Sequence, residues 1–323
     1  MKFTTLGPSG LKVSRIALGC MSFGQPQKGA HDWVLDDDAA APIFKQALEL
    51  GITFWDTANI YSDGTSEEVV GRAVRSYTRR ENVVLATKVF STMHEGPGGS
   101  GLSRKAIFEQ VDASLKRLRT DYIDLYQIHR FDPHTPVEET MEALHDVVKS
   151  GKARYIGASS MHAWQFAKMQ YTASGNNWTR FISMQDQLSL LQREEEREMF
   201  GLLADQGVSS LPWSPLARGR LTRPWGTKTQ RSENDAFGST LYMDTDREIV
   251  DAVQKVAEAR DIPMAQVALA WVLHQGVVAA PIVGATKEHH LLDAVAALDV
   301  ELSEEELAVL EAPYTPRQPS GYY

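Results

Sequence analysis

Eight times along this chain a short apolar run is followed by a stretch with helical periodicity, and no other feature restricts its fold as strongly. The runs occupy residues 16–19, 53–56, 83–89, 123–129, 155–159, 181–185, 208–213 and 279–284. Helical patterns lie between and after them, at 38–50, 66–76, 104–118, 137–149, 162–173, 194–205 and 287–298, with two more at 246–260 and 264–275. The runs are continuously apolar rather than alternating, as strands are when a parallel sheet is covered on both faces. Strict strand–helix alternation allows an open doubly wound sheet or a closed barrel, and eight units favour the barrel. We therefore expect an α/β fold, a (β/α)8 TIM barrel over residues 1–323 as a single domain. An N-terminal β-hairpin turning at Gly7-Pro8-Ser9-Gly10 precedes it, and extra helices and loops belong to its C-terminal part. Ser66 and Ser103 are expected as helix N-caps, Gly51 and Gly151 as helix stops, and the tail from Pro313 is expected not to be helical.

In such a barrel the chemistry sits at the C-terminal ends of the strands. Asp56, Lys88 and His129 fall at or near three successive ends, and Tyr61 lies in the loop after Asp56. Phenols are weak acids that titrate at about 10, but a neighbouring ammonium favours the phenolate. An aspartate beside that ammonium keeps it charged and in place. Reducing a carbonyl puts negative charge on oxygen, so such a site must deliver a proton or strong hydrogen bonds there. The four residues together predict Tyr61 as general acid, Lys88 and Asp56 as its tuning pair, and His129 as the group that orients the carbonyl.

Composition narrows the field. A net charge of −9 argues against nonspecific binding to nucleic acid or an anionic membrane, while leaving room for a local basic pocket. The single cysteine, Cys20, excludes an intrachain disulfide and a thiolate metal cluster. No apolar run approaches a membrane span, and the first residues lack the core of a signal peptide, so a cytoplasmic location is expected. The sequon at Asn177-Trp178-Thr179 then reads as an ordinary loop.

With these residues in view the chain resembles the aldo-keto reductases along nearly its whole length. The family's Asp-x4-Tyr element is matched by Asp56 to Tyr61, followed by Ser66-Glu67-Glu68-Val69-Val70-Gly71. Its lysine is matched at Lys88, and its histidine at His129 after Asp121-Tyr122-Ile123-Asp124-Leu125. The resemblance implies reversible carbonyl reduction with NADPH, favoured over NADH, on a small aldehyde or ketone, without a metal. It implies Ser159, Ser160 and Gln185 at the nicotinamide carboxamide, with Ser160 standing where the family commonly has Asn. Trp213 is the expected stacking aromatic, and Ser214, Pro215, Leu216, Arg218 and Gly219, with Arg231, cover the pyrophosphate. Gly19, Met21 and Asp56 complete the cofactor's near side, while Gly284, Thr286, Lys287 and His290 take its adenosine end at a helix N-terminus. Around His290 and Ala294 the chain departs from the family pattern. Met21, Phe23, Trp33, Tyr61, Phe90, Arg130 and Trp225 are the expected liners of the substrate pocket.

Two decoys are set aside. Gly96 to Gly101 spells G-x-G-x-x-G, but it lies several residues past its strand, contains Pro97 and is not in the first βα unit, so it reads as a substrate-side loop. His94, His289 and His290 lack the spacing of a metal site. Rival readings of the chain are an NAD-linked polyol or sugar dehydrogenase, a regulatory binding subunit with vestigial activity, and a lyase with a Schiff-base lysine at Lys88. The oligomeric state is not legible.

Overall fold

The computed structural model describes residues 1–29, 33–227, 240–241, 243–319 and 322. Strands β1 (Phe3–Thr5) and β2 (Lys12–Ser14) pair antiparallel as the expected hairpin. The eight predicted runs then supply β3 (Ala17–Gly19), β4 (Phe54–Asp56), β5 (Val84–Val89), β6 (Ile123–Ile128), β7 (Ala153–Ser159), β8 (Ser183–Gln185), β9 (Ser209–Ser210) and β10 (Ile282–Gly284). They form one parallel sheet in the order β10-β3-β4-β5-β6-β7-β8-β9. Parallel bridges from Ser210 to Val278 and from Trp213 to Ile282 join its two edges, so the sheet closes as a (β/α)8 barrel. β9 is much shorter than its predicted run because Pro212 has no N–H to donate; its carbonyl instead accepts from Ile282 N at 2.8 Å.

Side chains alternate across each strand, and this divides the residues into three layers. Leu18, Trp55, Leu85, Tyr126, Ile156, Met184 and Val283 face outward into the main apolar cluster beneath the helices. Inside the barrel, Ala17, Phe54, Ala86, Leu125, Leu211 and Ile282 form an apolar floor, closed from below by Leu6 and Val13 of the hairpin. Gly7 makes this closure possible: at φ +56 it lies so near the Ile182 carbonyl that a Cβ would stand 2.0 Å from the oxygen. Two residues further up, the same strands carry Gly19, Asp56, Lys88, Gln127 and Trp213. The polar layer of the barrel is therefore one strand period above the floor.

The outer helices are α1 (Asp37–Glu49), α2 (Thr65–Tyr77), α3 (Arg104–Leu118), α4 (Val137–Lys149), α5 (Ala163–Gly175) and α6 (Met199–Gln206). They continue with α7 (Arg247–Arg260), α8 (Met264–His274), α9 (Glu288–Ala296) and α10 (Glu304–Glu311). Ser103 caps α3 as expected, accepting from Ala106 N. Ser66 does not cap α2, because Gly64, at φ +85, starts the helix two residues earlier. The Ser66 hydroxyl donates to the Cys20 carbonyl at 2.7 Å and also bonds Thr57. The predicted 194–205 helix is split, a 3-10 turn at Glu194–Glu196 preceding α6. Helix α10 was not anticipated, although Ser303 and Glu306 form a capping box at its start.

Behind β4 and β5, α2 and α3 meet closely. A Cβ on Gly71 would stand 2.4 Å from the Leu118 carbonyl. Next to this contact Glu67, fully buried, accepts from Thr87 Oγ1 at 2.5 Å and pairs with Arg117 Nε at 2.6 Å. The helices thereby grip β5 at the residue before Lys88.

Candidate active site

Lys88 is completely buried, and its ammonium has an acceptor for each of its three hydrogens. Asp56 Oδ1 lies at 2.5 Å, the Thr57 carbonyl at 2.8 Å and Tyr61 Oη at 3.3 Å. Burial pulls the lysine's pKa down, and this is the largest single influence on it. The charges of Asp56 and Tyr61 and their hydrogen bonds outweigh it, so Lys88 is held above the usual lysine value and stays an ammonium. Asp56 Oδ2 accepts from two amides, Gln127 Nε2 at 2.9 Å and Gln185 Nε2 at 3.0 Å. With Lys88 on one oxygen and two N–H groups on the other, the buried carboxylate has partners on both sides.

His129 follows β6, its N–H bonded to the Val89 carbonyl at 2.8 Å. Its ring stands edge-on to Tyr61, centroids 5.8 Å apart. Burial, then the charges of Lys88 and Arg130, push its pKa well below the usual histidine value, so the ring is neutral at physiological pH. Nδ1 is buried without a partner, which leaves Nε2 as the ring nitrogen open to the mouth. The four predicted residues thus come together: a neutral imidazole and a phenol face each other, with an ammonium under the phenol oxygen. An arrangement of this kind can hydrogen-bond a substrate oxygen and protonate it.

The predicted cofactor residues lie around the same rim. Gly19 and Gly284 pair in register on β3 and β10, and Gly19 also pairs with Asp56. Met21 is in the 3-10 turn Cys20–Ser22 that follows. Ser159 Oγ donates to the Gln185 carbonyl at 2.8 Å. Ser160, left-handed at φ 42, accepts from the Trp213 indole N–H at 3.0 Å. The residue that departs from the family pattern therefore fixes the orientation of the aromatic ring. After Trp213 the backbone turns left-handed at Ser214, Ala217, Arg218 and Gly219, with Pro215 and Leu216 between them. Arg231 lies outside the described residues.

At the far end Lys287 caps α9, and the Thr286 N–H donates to His290 Nδ1 at 3.3 Å. Burial first, then the charges of His289, Lys287 and Arg223, push the His290 pKa down to about 4, so His290 is a neutral acceptor rather than a cation. The positive charge here belongs to Lys287 and to Arg223, a residue that no sequence motif marks.

Two of the expected pocket liners, Phe23 and Trp225, are held by apolar clusters. Phe23 is fully buried against Phe44, ring centroids 4.7 Å apart, and does not line the mouth. Trp225 packs on a second apolar cluster, built mainly from α7 and α8, with the Arg220 guanidinium 6.0 Å from its ring. Trp33, Phe90 and Arg130 are half-buried, and Arg130 Nη1 donates to the His129 carbonyl. Gly96 to Gly101 is a turn-rich loop, closed by Met93 N on the Gly99 carbonyl and Gly101 N on the Phe90 carbonyl. The helix after it has its first N–H groups taken by Ser103 and Glu139. Among the residues missed, Gln127 left a signal: it is an amide inside an apolar strand, two positions before His129 and so on the same strand face. A cavity of about 550 Å3 near Met161, Glu195 and Arg317 includes none of the four central residues. Among the described residues no group of three or more His, Cys, Asp or Glu is placed to hold a metal ion, and no helix is long and apolar enough to cross a membrane.

A closed (β/α)8 barrel with this quartet at its mouth defines a class, and the comparison with known sequences gives the same one: the aldo/keto reductase family model matches residues 15–314, and the chain belongs to that family. It is 46% identical to versiconal hemiacetal acetate reductase of Aspergillus parasiticus, with 98% of each chain covered. It is 44% identical to aldo-keto reductase AMT2 of Alternaria alternata, over 99% of this chain and 93% of the relative. A Schizosaccharomyces pombe protein provisionally named an aryl-alcohol dehydrogenase is 45% identical over 96% of this chain and 95% of its own.

Proposed function

We propose that this protein reduces aldehyde or ketone carbonyls to alcohols with NADPH, Tyr61 acting as the general acid. The observation that carries the reading is the placement of the Lys88 ammonium, whose third hydrogen has Tyr61 Oη as its acceptor. The residues fit a nicotinamide dinucleotide. Both Gln185 N–H bonds are spent on Asp56 and Gln127, and its Oε1 has no partner among the described residues, an acceptor left over for a carboxamide N–H. Ser159 and Ser160 flank it, and Trp213, pinned by Ser160, offers a flat face. Lys287 and Arg223, with the Thr286 and Gly284 backbone, form the cationic end suited to a 2′-phosphate; this favours NADPH over NADH. When bound, the dinucleotide supplies the hydride.

The chain's own contribution is proton transfer and positioning. The neutral His129 donates one hydrogen bond from Nε2 to the carbonyl oxygen. Tyr61 gives its hydroxyl proton to that oxygen: the Tyr61 O–H bond breaks, the alcohol O–H bond forms, and the phenolate is left beside Lys88. Lys88 keeps its proton throughout, since Asp56 and the Thr57 carbonyl hold the other two N–H bonds. Solvent then reprotonates Tyr61. The names of the relatives, an aryl-alcohol dehydrogenase and a hemiacetal acetate reductase, suggest aromatic carbonyls as the first compounds to try. The test is a panel of aromatic and aliphatic aldehydes with NADPH or NADH. The expected result is one NADPH consumed per alcohol formed, with NADPH preferred; no consumption above background across the panel would overturn the proposal.

A further inference from the structure

We propose that Gln127 is a positioning residue that locks the proton-donating half of the site to the nicotinamide half, a role that rests on the reductase reading above. Gln127 stands beside Lys88 on one neighbouring strand and Gly157 on the other. Gly157 makes room for it: a Cβ there would come 3.2 Å from Gln127 Cγ and 2.5 Å from Ser183 Oγ. The glutamine is fully buried and lies between Asp56 and Gln185, which are 2% and 3% exposed.

The orientation of both amides follows from chemistry. An ionised carboxylate only accepts, so Gln127 and Gln185 must both present nitrogen to Asp56 Oδ2. Gln127 then has its oxygen free, and it accepts the second hydrogen of Gln185 Nε2 at 3.2 Å. The three side chains make a closed triangle around one carboxylate oxygen. Within it Gln185 cannot turn its amide over without facing oxygen toward a carboxylate. Gln127 therefore acts at a distance from the substrate in two ways: it holds the Asp56 rotamer that carries Lys88, and it keeps Gln185 presenting Oε1 to the cofactor.

Two variants test this. Gln127→Leu removes one donor from Asp56 and the acceptor from Gln185. The expected result is an NADPH dissociation constant about tenfold higher and kcat at least about tenfold lower, the loss of a buried hydrogen bond to a charged group, with the aldehyde KM little changed. Gln127→Glu is nearly isosteric and replaces the amide donor only while it is protonated. Its activity should approach that of the parent at low pH and fall as the introduced carboxyl group ionises beside Asp56, adding an ionisation that the parent profile lacks. Parent-like NADPH affinity and kcat in Gln127→Leu would overturn the proposal. So would a Gln127→Glu profile of the parent's shape, or equal losses of NADPH and aldehyde affinity in Gln127→Leu, which indicate general loosening. Each of these leaves the reductase reading standing as long as Tyr61→Phe is inactive in the same assay. A Tyr61→Phe variant at the parental rate instead removes the reading beneath.

Discussion

Replacing Lys88 by Met keeps the unbranched side chain as far as Cε and removes the charge from beneath Tyr61. The ammonium lies 3.3 Å from Tyr61 Oη. At an effective dielectric of about 20, a phenolate at that distance gains roughly 5 kcal/mol from it, since two unit charges interact by about 332/(εr). At about 1.4 kcal/mol per decade, this is a rate factor of roughly 10^3 to 10^4 for the step that leaves charge on Tyr61. The substitution also strands the Asp56 carboxylate in the barrel with only its two amide donors, a loss of about 3–5 kcal/mol in stability. The double variant Asp56→Asn/Lys88→Met removes both charges; it relieves the stranded carboxylate and also its repulsion of the phenolate, so its rate should fall less than that of Lys88→Met. Single-turnover oxidation of bound NADPH by an excess of aromatic aldehyde reads the step directly, and near-ultraviolet circular dichroism checks the packing. A folded Lys88→Met variant within tenfold of the parental rate would refute the electrostatic argument.

Other consequences follow from separate parts of the structure. Arg117→Met leaves the fully buried Glu67 with only Thr87 as partner and should cost about 3 kcal/mol in urea unfolding; an unchanged midpoint would show that Glu67 does not need the charge. Lys287→Ala should weaken NADPH binding about tenfold and NADH hardly at all, with a shallower salt dependence; equal loss for both cofactors would place the 2′-phosphate elsewhere. Burial raises the Asp186 pKa to about 7, above its unfolded value of about 3.9. The folded state therefore holds a proton that the unfolded state has released between these values, and stability falls as pH rises through that window. Burial and the Asp186 charge raise the neighbouring Glu195 as well, so Asp186→Asn removes only part of the dependence, and the melting temperature of the variant relative to the parent should rise from about pH 4 to about pH 7; a gap that is constant with pH would contradict this.

The eight strands and most helices were legible because covered parallel strands are apolar on both faces, and the helices between them carry clean stops and caps. Tertiary demands account for the misses. Ser66 has the chemistry of a cap, but its hydroxyl is needed by the Cys20 carbonyl, and Gly64 supplies the left-handed turn. Phe23 and Trp225 have the character of pocket liners, yet each is held by an apolar cluster that the local sequence does not reveal. Asp56, Lys88 and His129 are readable as candidates from their strand ends, and Tyr61 from the loop after Asp56. Beyond being an amide in an apolar strand, Gln127 is not legible as a site residue from sequence, since an amide has a site to complete only when a neighbouring strand places an acceptor beside it. Arg223 is one of several arginines in its segment, and only the folded chain brings its charge to bear on His290.

The central claim, that Tyr61 delivers the proton, is tested most directly by single-turnover kinetics of Tyr61→Phe at saturating NADPH and aldehyde, alongside its NADPH dissociation constant. The expected rate is lower by about 10^3 or more, at the upper end of what general acid catalysis contributes, with NADPH affinity within about twofold of the parent. A rate within tenfold of the parent, with the cofactor equally well bound, would contradict it.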